Sequence, residues 1–180
     1  MKIYLRALIP EDAFISYQWR NDPEVWKYTG RKPDVKVTPI IEKQWLEKVL
    51  SNNDEIRFAI CINGTNDYIG NIQLLKISDI DAEFHIFIGD KRLWGKGIAS
   101  SATHKLLKIG FSEYGLKRIY LTVNKNNIAA IKAYKKNGFK KDENFINRFQ
   151  NSSKFKNQIT MSVIREDFEK IAYDKGFQDV

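Results

Sequence analysis

Phe84 to Gly115 reads FHIFIGDKRLWGKGIASSATHKLLKIGFSEYG. Its first five residues, Phe84 to Ile88, have the composition and length of a short apolar strand. The turn Arg92-Leu93-Trp94-Gly95-Lys96-Gly97 follows, and a helical pattern opens directly behind it. Ile98, Ala102, Leu106 and Ile109 recur at spacings of four, four and three, which sets one apolar face. A strand, a glycine turn and a helix in this order leave amide N–H groups at the helix start without intrahelical partners. Together with the positive end of the helix dipole they form a place for an anionic phosphate. Glycine at 95 and 97 lets such a group approach the backbone, and Arg92 and Lys96 add positive charge. An ordinary strand-to-helix turn with a solvated lysine accounts for the same six residues. The spacing excludes a Walker loop, and Ser100 stands where a dinucleotide fingerprint needs its third glycine.

Leu116 to Phe139 reads LKRIYLTVNKNNIAAIKAYKKNGF. Arg118 to Val123 is strand-like. Asn127, Ala130, Ile131 and Tyr134 then fall at i, i+3, i+4 and i+7, so an amide and a phenol share one helical face with apolar groups. A buried tyrosine with a satisfied hydroxyl is the plainer explanation of Tyr134.

Arg92-x-x-Gly95-x-Gly97-Ile98-Ala99, then Asn127, then Tyr134-x-x-x-Gly138-Phe139, resembles the GNAT superfamily of acyl-CoA N-acyltransferases. The similarity is greatest to the branch with ribosomal-protein, spermidine and amino-sugar N-acetyltransferases, and runs from Leu5-Arg6 to about Val163. It implies an acyl-CoA N-acyltransferase fold and acetyl-CoA (coenzyme A) as cofactor. It also implies contacts from Ile86, Phe87 and Ile88 to the pantetheine arm. Arg92, Leu93, Trp94, Gly95, Lys96, Gly97, Ile98, Ala99 and Ser100 would surround the pyrophosphate, and Asn127 and Tyr134 would also meet the cofactor. Tyr134 matches the tyrosine with which family members protonate the departing thiolate. Trp19-Arg20-Asn21-Asp22-Pro23-Glu24-Val25 is similar to a stretch that lies beside the acceptor cleft in that branch. This makes Trp19, Arg20 and Asn21 candidate substrate contacts, although Trp19 also reads as core.

Acetyl transfer to an amine needs a group to collect the ammonium proton, since an alkylammonium has a pKa near ~10. Glu83 is the favoured base, because the resemblance often places one there. His85, two residues on and on the same face, is the alternative and a candidate substrate contact. Either also reads as a solvated strand residue.

The rest of the chain reads as one domain, 1–180, of α+β (mixed α/β) class. Seven strands are expected, at 2–9, 56–62, 68–77, 82–88, 118–123, 139–150 and 155–165. They make a central, mostly antiparallel twisted sheet flanked by helices, with one parallel or splayed pair across the Gly97–Tyr114 helix. A helix begins at Pro10-Glu11-Asp12. Another begins at Pro39, with Ile40, Ile41, Trp45, Leu46, Val49 and Leu50 as its apolar stripe. A third runs from Asn127 to Asn137, and a short one lies in the tail around Phe168 and Ile171. Residues 27–38 form a loop, and Asn151-Ser152-Ser153 is the turn of a closing hairpin.

Composition bounds the partners. Hydrophobic residues make up 43% and charged residues 29%, ordinary for a soluble globular protein, and the lone cysteine fits a reducing cytoplasm. No apolar stretch approaches the roughly 20 residues that span a bilayer. The single cysteine, Cys61, excludes an internal disulfide and sits in an apolar run, where a thiol is usually inert. One cysteine and two separated histidines do not make a zinc site, so no metal is expected. The net charge of +8 suits an anionic cofactor and disfavours a polycationic acceptor. The amine is therefore expected on a small metabolite such as an amino sugar, with a protein N-terminus or a polyamine as alternatives. A non-catalytic acyl-CoA- or nucleic-acid-binding module of the same fold is the non-enzyme reading. Nucleic acid is the weaker half of it because the basic residues are scattered. A homodimer stays open as an assembly.

Overall fold

In the computed structural model, residues 1–28, 34–142 and 157–174 are described. Alternation along each strand decides the layering. In β1 (Ile3–Ala7), β2 (Ile56–Ile62), β3 (Tyr68–Leu75) and β4 (Asp81–Ile88), one set of alternate residues is aliphatic or aromatic. The same holds for β5 (Arg118–Asn124) and β7 (Gln158–Ile164). Register lines these sets up: Leu5 faces Ile60, Phe58 faces Ile72, Leu74 faces Phe84, Ile119 faces Val163 and Leu121 faces Met161. That continuous apolar face is covered by α4 (Ile98–Ser112), with α5 (Ile128–Lys135) packed on α4 and α6 (Arg165–Asp174) packed through Phe168. Of the α4 stripe, Ile98, Ala102 and Leu106 are buried and Ile109 is partly exposed.

The opposite face carries a second, smaller core of Leu8, Ala13, Leu46, Ala59, Cys61 and Tyr68. It is covered by α1 (Ala13–Arg20), which follows a 3-10 turn at Pro10–Asp12, and by α3 (Pro39–Leu50). Between them lies the short α2 (Pro23–Trp26), capped by Asp22. The expected α3 stripe needs correction here. Ile40 and Ile41 are exposed, and the residue turned inward among Leu46 and its neighbours is Glu42. Its carboxylate accepts a hydrogen bond from the Ser16 hydroxyl and faces Arg20, which makes burial tolerable.

The sheet order is β1-β2-β3-β4-β5-β7-β6, antiparallel throughout except for the parallel pair β4–β5. The sixth strand, β6, is only Lys140–Lys141, against β7. The rest of the strand expected at 139–150, the turn at 151–153 and residues 29–33 of the expected loop lie outside the described residues. The boundaries expected for the helix at 127–137 shift: Asn127 is its N-cap, not its first helical residue. Among the described residues no helix is long and apolar enough to cross a membrane, and no group of three or more His, Cys, Asp or Glu could hold a metal ion.

Candidate active site

The site is built around a place where the sheet stops being a sheet. Strands β4 and β5 pair only at Asp81–Arg118, Ala82–Ile119 and Glu83–Tyr120. Beyond that point β4 runs on to Ile88 and β5 to Asn124 without pairing. On its other edge β4 stays paired with β3 up to Ile88–Gly70. The bond from Gly89 N–H to the Ile69 carbonyl (2.8 Å) fixes the alternation of that ladder. It turns the backbone groups of Glu83, His85 and Phe87 toward β3, and those of Ile86 and Ile88 toward the gap. Of the three residues expected to offer amides to a pantetheine arm, Ile86 and Ile88 are so oriented and Phe87 is not.

The turn after β4 is tightly tied. Asp90 accepts from the Arg92 backbone N–H at 3.1 Å and pairs with its guanidinium at 2.9 and 2.7 Å. Arg92 is thus held by a carboxylate, and Lys96 is the cation left beside the helix start. The Trp94 indole N–H donates to the Ile88 carbonyl at 2.8 Å, closing the end of the strand. Gly95 and Gly97 take the left-handed backbone conformation, with φ of +75° and +78°. A β-carbon at either would meet no atom within 4 Å, so glycine is required by backbone geometry and the space in front is open. Gly97 caps α4 with no side chain. The first helix bond runs from Ser101 N–H to the Gly97 carbonyl. The amides of Ile98, Ala99 and Ser100 are left for an anion, so this cradle fits the pyrophosphate of coenzyme A.

On the same face of the sheet, α5 carries Tyr134. Its ring meets Phe84 edge-on at 5.7 Å and Phe139 at 5.7 Å. The residue is buried, and burial alone pushes its phenol well above the usual tyrosine range. Asn127 accepts from the Ala130 N–H at 3.2 Å as the cap of α5, so one side of its amide is committed to the helix. Asn137, at the far end of α5, donates to the Ser100 carbonyl and hydroxyl, each at 3.1 Å.

The other face of β4 presents Glu83, His85 and Phe87. The Glu83 carboxylate pairs with Lys76 and with His85 Nε2 at 3.0 Å. The His85 hydrogen bond and then Lys76 outweigh partial burial and lower its pKa to about 2. Tyr120, its neighbour across the last β4–β5 pair, is raised to about 12 by burial and by the Glu83 charge. Farther along, Phe87 meets Trp19 at 6.0 Å and Trp26 at 6.3 Å. Trp19 lies against Gly89, where a β-carbon would come within 1.9 Å of the indole. A cleft of about 370 Å³ opens beside Trp26, lined also by Arg20, Asn21 and Lys36. Asn21 spends its amide on the Tyr17 and Val37 carbonyls (2.9 and 2.7 Å) and accepts from the Val37 N–H (2.9 Å). It holds the approach to α3, whereas Arg20 faces the cleft. The residues flanking the gap therefore divide into two groups, one on each face of β4. Trp26, Tyr120, Lys76 and Asn137 join those expected from sequence, and Phe87, expected at the pantetheine arm, instead packs against Trp19 and Trp26.

Comparison with known proteins gives the family. The family described as acetyltransferase (GNAT) domain matches residues 2–140. The chain is 27% identical to a spermidine N(1)-acetyltransferase of Escherichia coli over 168 residues, covering 92% of this chain and 88% of that one. It is 31% identical to the N-acetyltransferase p20 of Bacillus licheniformis over 144 residues, covering 78% and 80%. Among solved structures, the spermidine N-acetyltransferase of Vibrio cholerae in complex with CoA and spermine superposes with a TM-score of 0.79. That match has 24% identity and covers 93% of this chain and 98% of the other. A GNAT-family acetyltransferase of Bacillus anthracis gives 0.75 at 20% identity, covering 92% and 96%. The chain belongs to the GNAT family and is an acetyl-CoA-dependent N-acetyltransferase.

Proposed function

We propose that the protein acetylates a primary amine of a small metabolite, which enters from the Glu83–His85 face and meets the thioester in the gap between β4 and β5. The observation that carries this reading is the loss of β4–β5 pairing after Glu83–Tyr120, with Tyr134 on one side of the opening and His85 on the other. Acetyl-CoA supplies the activated acetyl group. The chain holds its phosphates at the start of α4 and its arm along Ile86 and Ile88, whose free amides can also donate to a developing oxyanion.

His85 receives the ammonium proton. The carboxylate of Glu83, with a pKa near 2, is too weak a base to hold a proton at neutral pH, and the imidazole bonded to it is the neighbouring group on that face with a free ring nitrogen to offer. Glu83 orients the ring through its 3.0 Å bond to Nε2 and stabilises the charge that His85 gains, leaving Nδ1 for the proton. This reverses the order of the two candidates expected from sequence. Tyr134, kept protonated by burial, donates to the departing sulfur. Relatives named as spermidine N-acetyltransferases support a small aliphatic amine as the acceptor type, the polyamine alternative rather than the amino sugar or the protein N-terminus.

The test is thiol release from acetyl-CoA over a panel of amines, with initial rates measured while both substrates are varied. Intersecting lines are expected for direct attack in a ternary complex. Parallel lines would indicate an acetylated enzyme and overturn the scheme.

A further inference from the structure

Arg20 is an arginine that makes an ion pair with Glu42 but no hydrogen bond with a described residue. Its Nε is sealed from solvent without a hydrogen bond and stands 3.3 Å from Oε2 of the buried Glu42. Its guanidinium lies over two indole rings, 4.8 Å from the centre of Trp26 and 4.6 Å from that of Trp45. The η nitrogens are not sealed and form no hydrogen bond with any described residue, and Arg20 is one of the residues that line the cleft, with Asn21, Trp26 and Lys36. Stacking and Glu42 fix the plane of the group and leave its outer edge free. That is the arrangement that receives a planar or tetrahedral anion through two parallel N–H bonds. The acids at the cleft offset this little. Asp22 is held by Lys91 at 2.8 Å, and exposed Asp34 stands near Lys36 in sequence at the opening. Trp26, which lines the cleft, also meets Phe87 with ring centres 6.3 Å apart, and Phe87 lies on the same face of β4 as His85.

We propose that the Arg20 edge is an anion subsite of the acceptor pocket, so that the preferred acceptor is an elongated primary amine bearing a phosphate or carboxylate at the end away from the amine. This rests on the reading that the acceptor enters on the His85 face. It separates this chain from its polyamine-acetylating relatives, since a polycation brings no anion to the guanidinium. The chain's net charge of +8 favours the same class during approach.

Matched acceptors test the proposal and identify the source of the anion. Glucosamine 6-phosphate against glucosamine reports on phosphate, lysine against 1,5-diaminopentane on carboxylate, and spermidine serves as the polycation. For at least one pair kcat/KM is expected to be about 10- to 100-fold higher for the anionic member, the range of a charge-assisted pair. Arg20→Gln is expected to collapse that ratio and Arg20→Lys to retain part of it. CoA affinity, measured by calorimetry on the opposite face, should hold in both variants and reports that each is folded; the melting temperature should fall in Arg20→Gln, which leaves the buried Glu42 carboxylate without its cation, and fall less in Arg20→Lys. Ratios near one in both pairs, or a ratio that persists in Arg20→Gln, would overturn the subsite. Calorimetric titration with glucosamine 6-phosphate and lysine decides it separately from turnover. If no amine is acetylated but either compound binds wild type and not Arg20→Gln, the subsite stands and the catalytic reading fails. Equal binding to both proteins, or to neither, removes the subsite.

Discussion

The side-chain amide of Asn137 reaches from the end of α5 to Ser100 in the first turn of α4, 3.1 Å from its carbonyl and 3.1 Å from its hydroxyl. A third bond, 2.9 Å to the Ala133 carbonyl, fixes the amide on its own helix. Asn137 thus couples the helix that carries the phenol to the helix start that would face the phosphates. The two amide hydrogens are shared among these three oxygens, which holds the Ser100 backbone and hydroxyl at the helix start. Asn137→Ala should raise KM for acetyl-CoA about 10-fold, with a smaller change in kcat. The rise should be absent with S-acetyl-pantetheine, which lacks the pyrophosphate. An equal effect on both donors would mark a general packing defect.

Tyr134→Phe keeps the ring contacts with Phe84 and Phe139 and removes only the hydroxyl. Turnover should fall about 100-fold or more while CoA affinity changes less than about 2-fold. Single-turnover thiol release and calorimetry measure the two quantities. Unchanged turnover would take Tyr134 out of the acid role.

Glu83 and His85 separate by pH. The folded Glu83 pKa of about 2 lies below its ordinary 4.5, so its ion pairs stabilise the fold fully above about pH 5. That contribution fades as pH falls toward 2. Acid titration of the melting temperature should show Glu83→Gln with a shallower loss than wild type over this window. In catalysis, the acidic limb of the kcat/KM profile should vanish in His85→Gln and persist, displaced, in Glu83→Gln. A limb that survives in His85→Gln with wild-type position would return the base role to another group.

Gly89→Ala places a methyl group inside the Trp19 indole, within 1.9 Å of its ring atoms. Trp19 also meets Tyr68 at 4.7 Å, and its carbonyl accepts from the Trp26 indole at 2.9 Å, so it has little room to retreat. The substitution should cost about 1–3 kcal/mol in chemical unfolding and raise KM for the amine more than for acetyl-CoA.

Most of the scaffold was legible from alternation and from Gly, Pro and Asn punctuation. Strand, turn and helix around Gly95 and Gly97 fall where spacing places them, as does the parallel, splayed pair β4–β5. Three features were not legible. The inward face of α3 carries Glu42, because Ser16 and Arg20, distant in sequence, satisfy its carboxylate. Asn21 turned out to pin Val37, since the side chain's partners belong to a segment with no periodic signal. The low pKa of Glu83 depends first on its bond to His85 and then on Lys76, which reaches it from the end of β3. Sequence spacing within β4 gives the shared face but not the cation that silences the carboxylate.

The three-residue seam between β4 and β5 also has a mechanical meaning. The sheet consists of two leaves, β1 to β4 and β5 to β6, joined at Asp81, Ala82 and Glu83 and otherwise through the helices. Amides of Ile86 and Ile88 lack a strand partner on that side, so hydrogen exchange should be fast there in the free enzyme. Coenzyme A, lying in the seam, would act as the absent rungs of the ladder. It should slow exchange at these two positions more than at Phe87, whose amide already faces β3. The cofactor would then be a structural splint as well as a reagent, coupling the stiffness of the enzyme to its acyl supply.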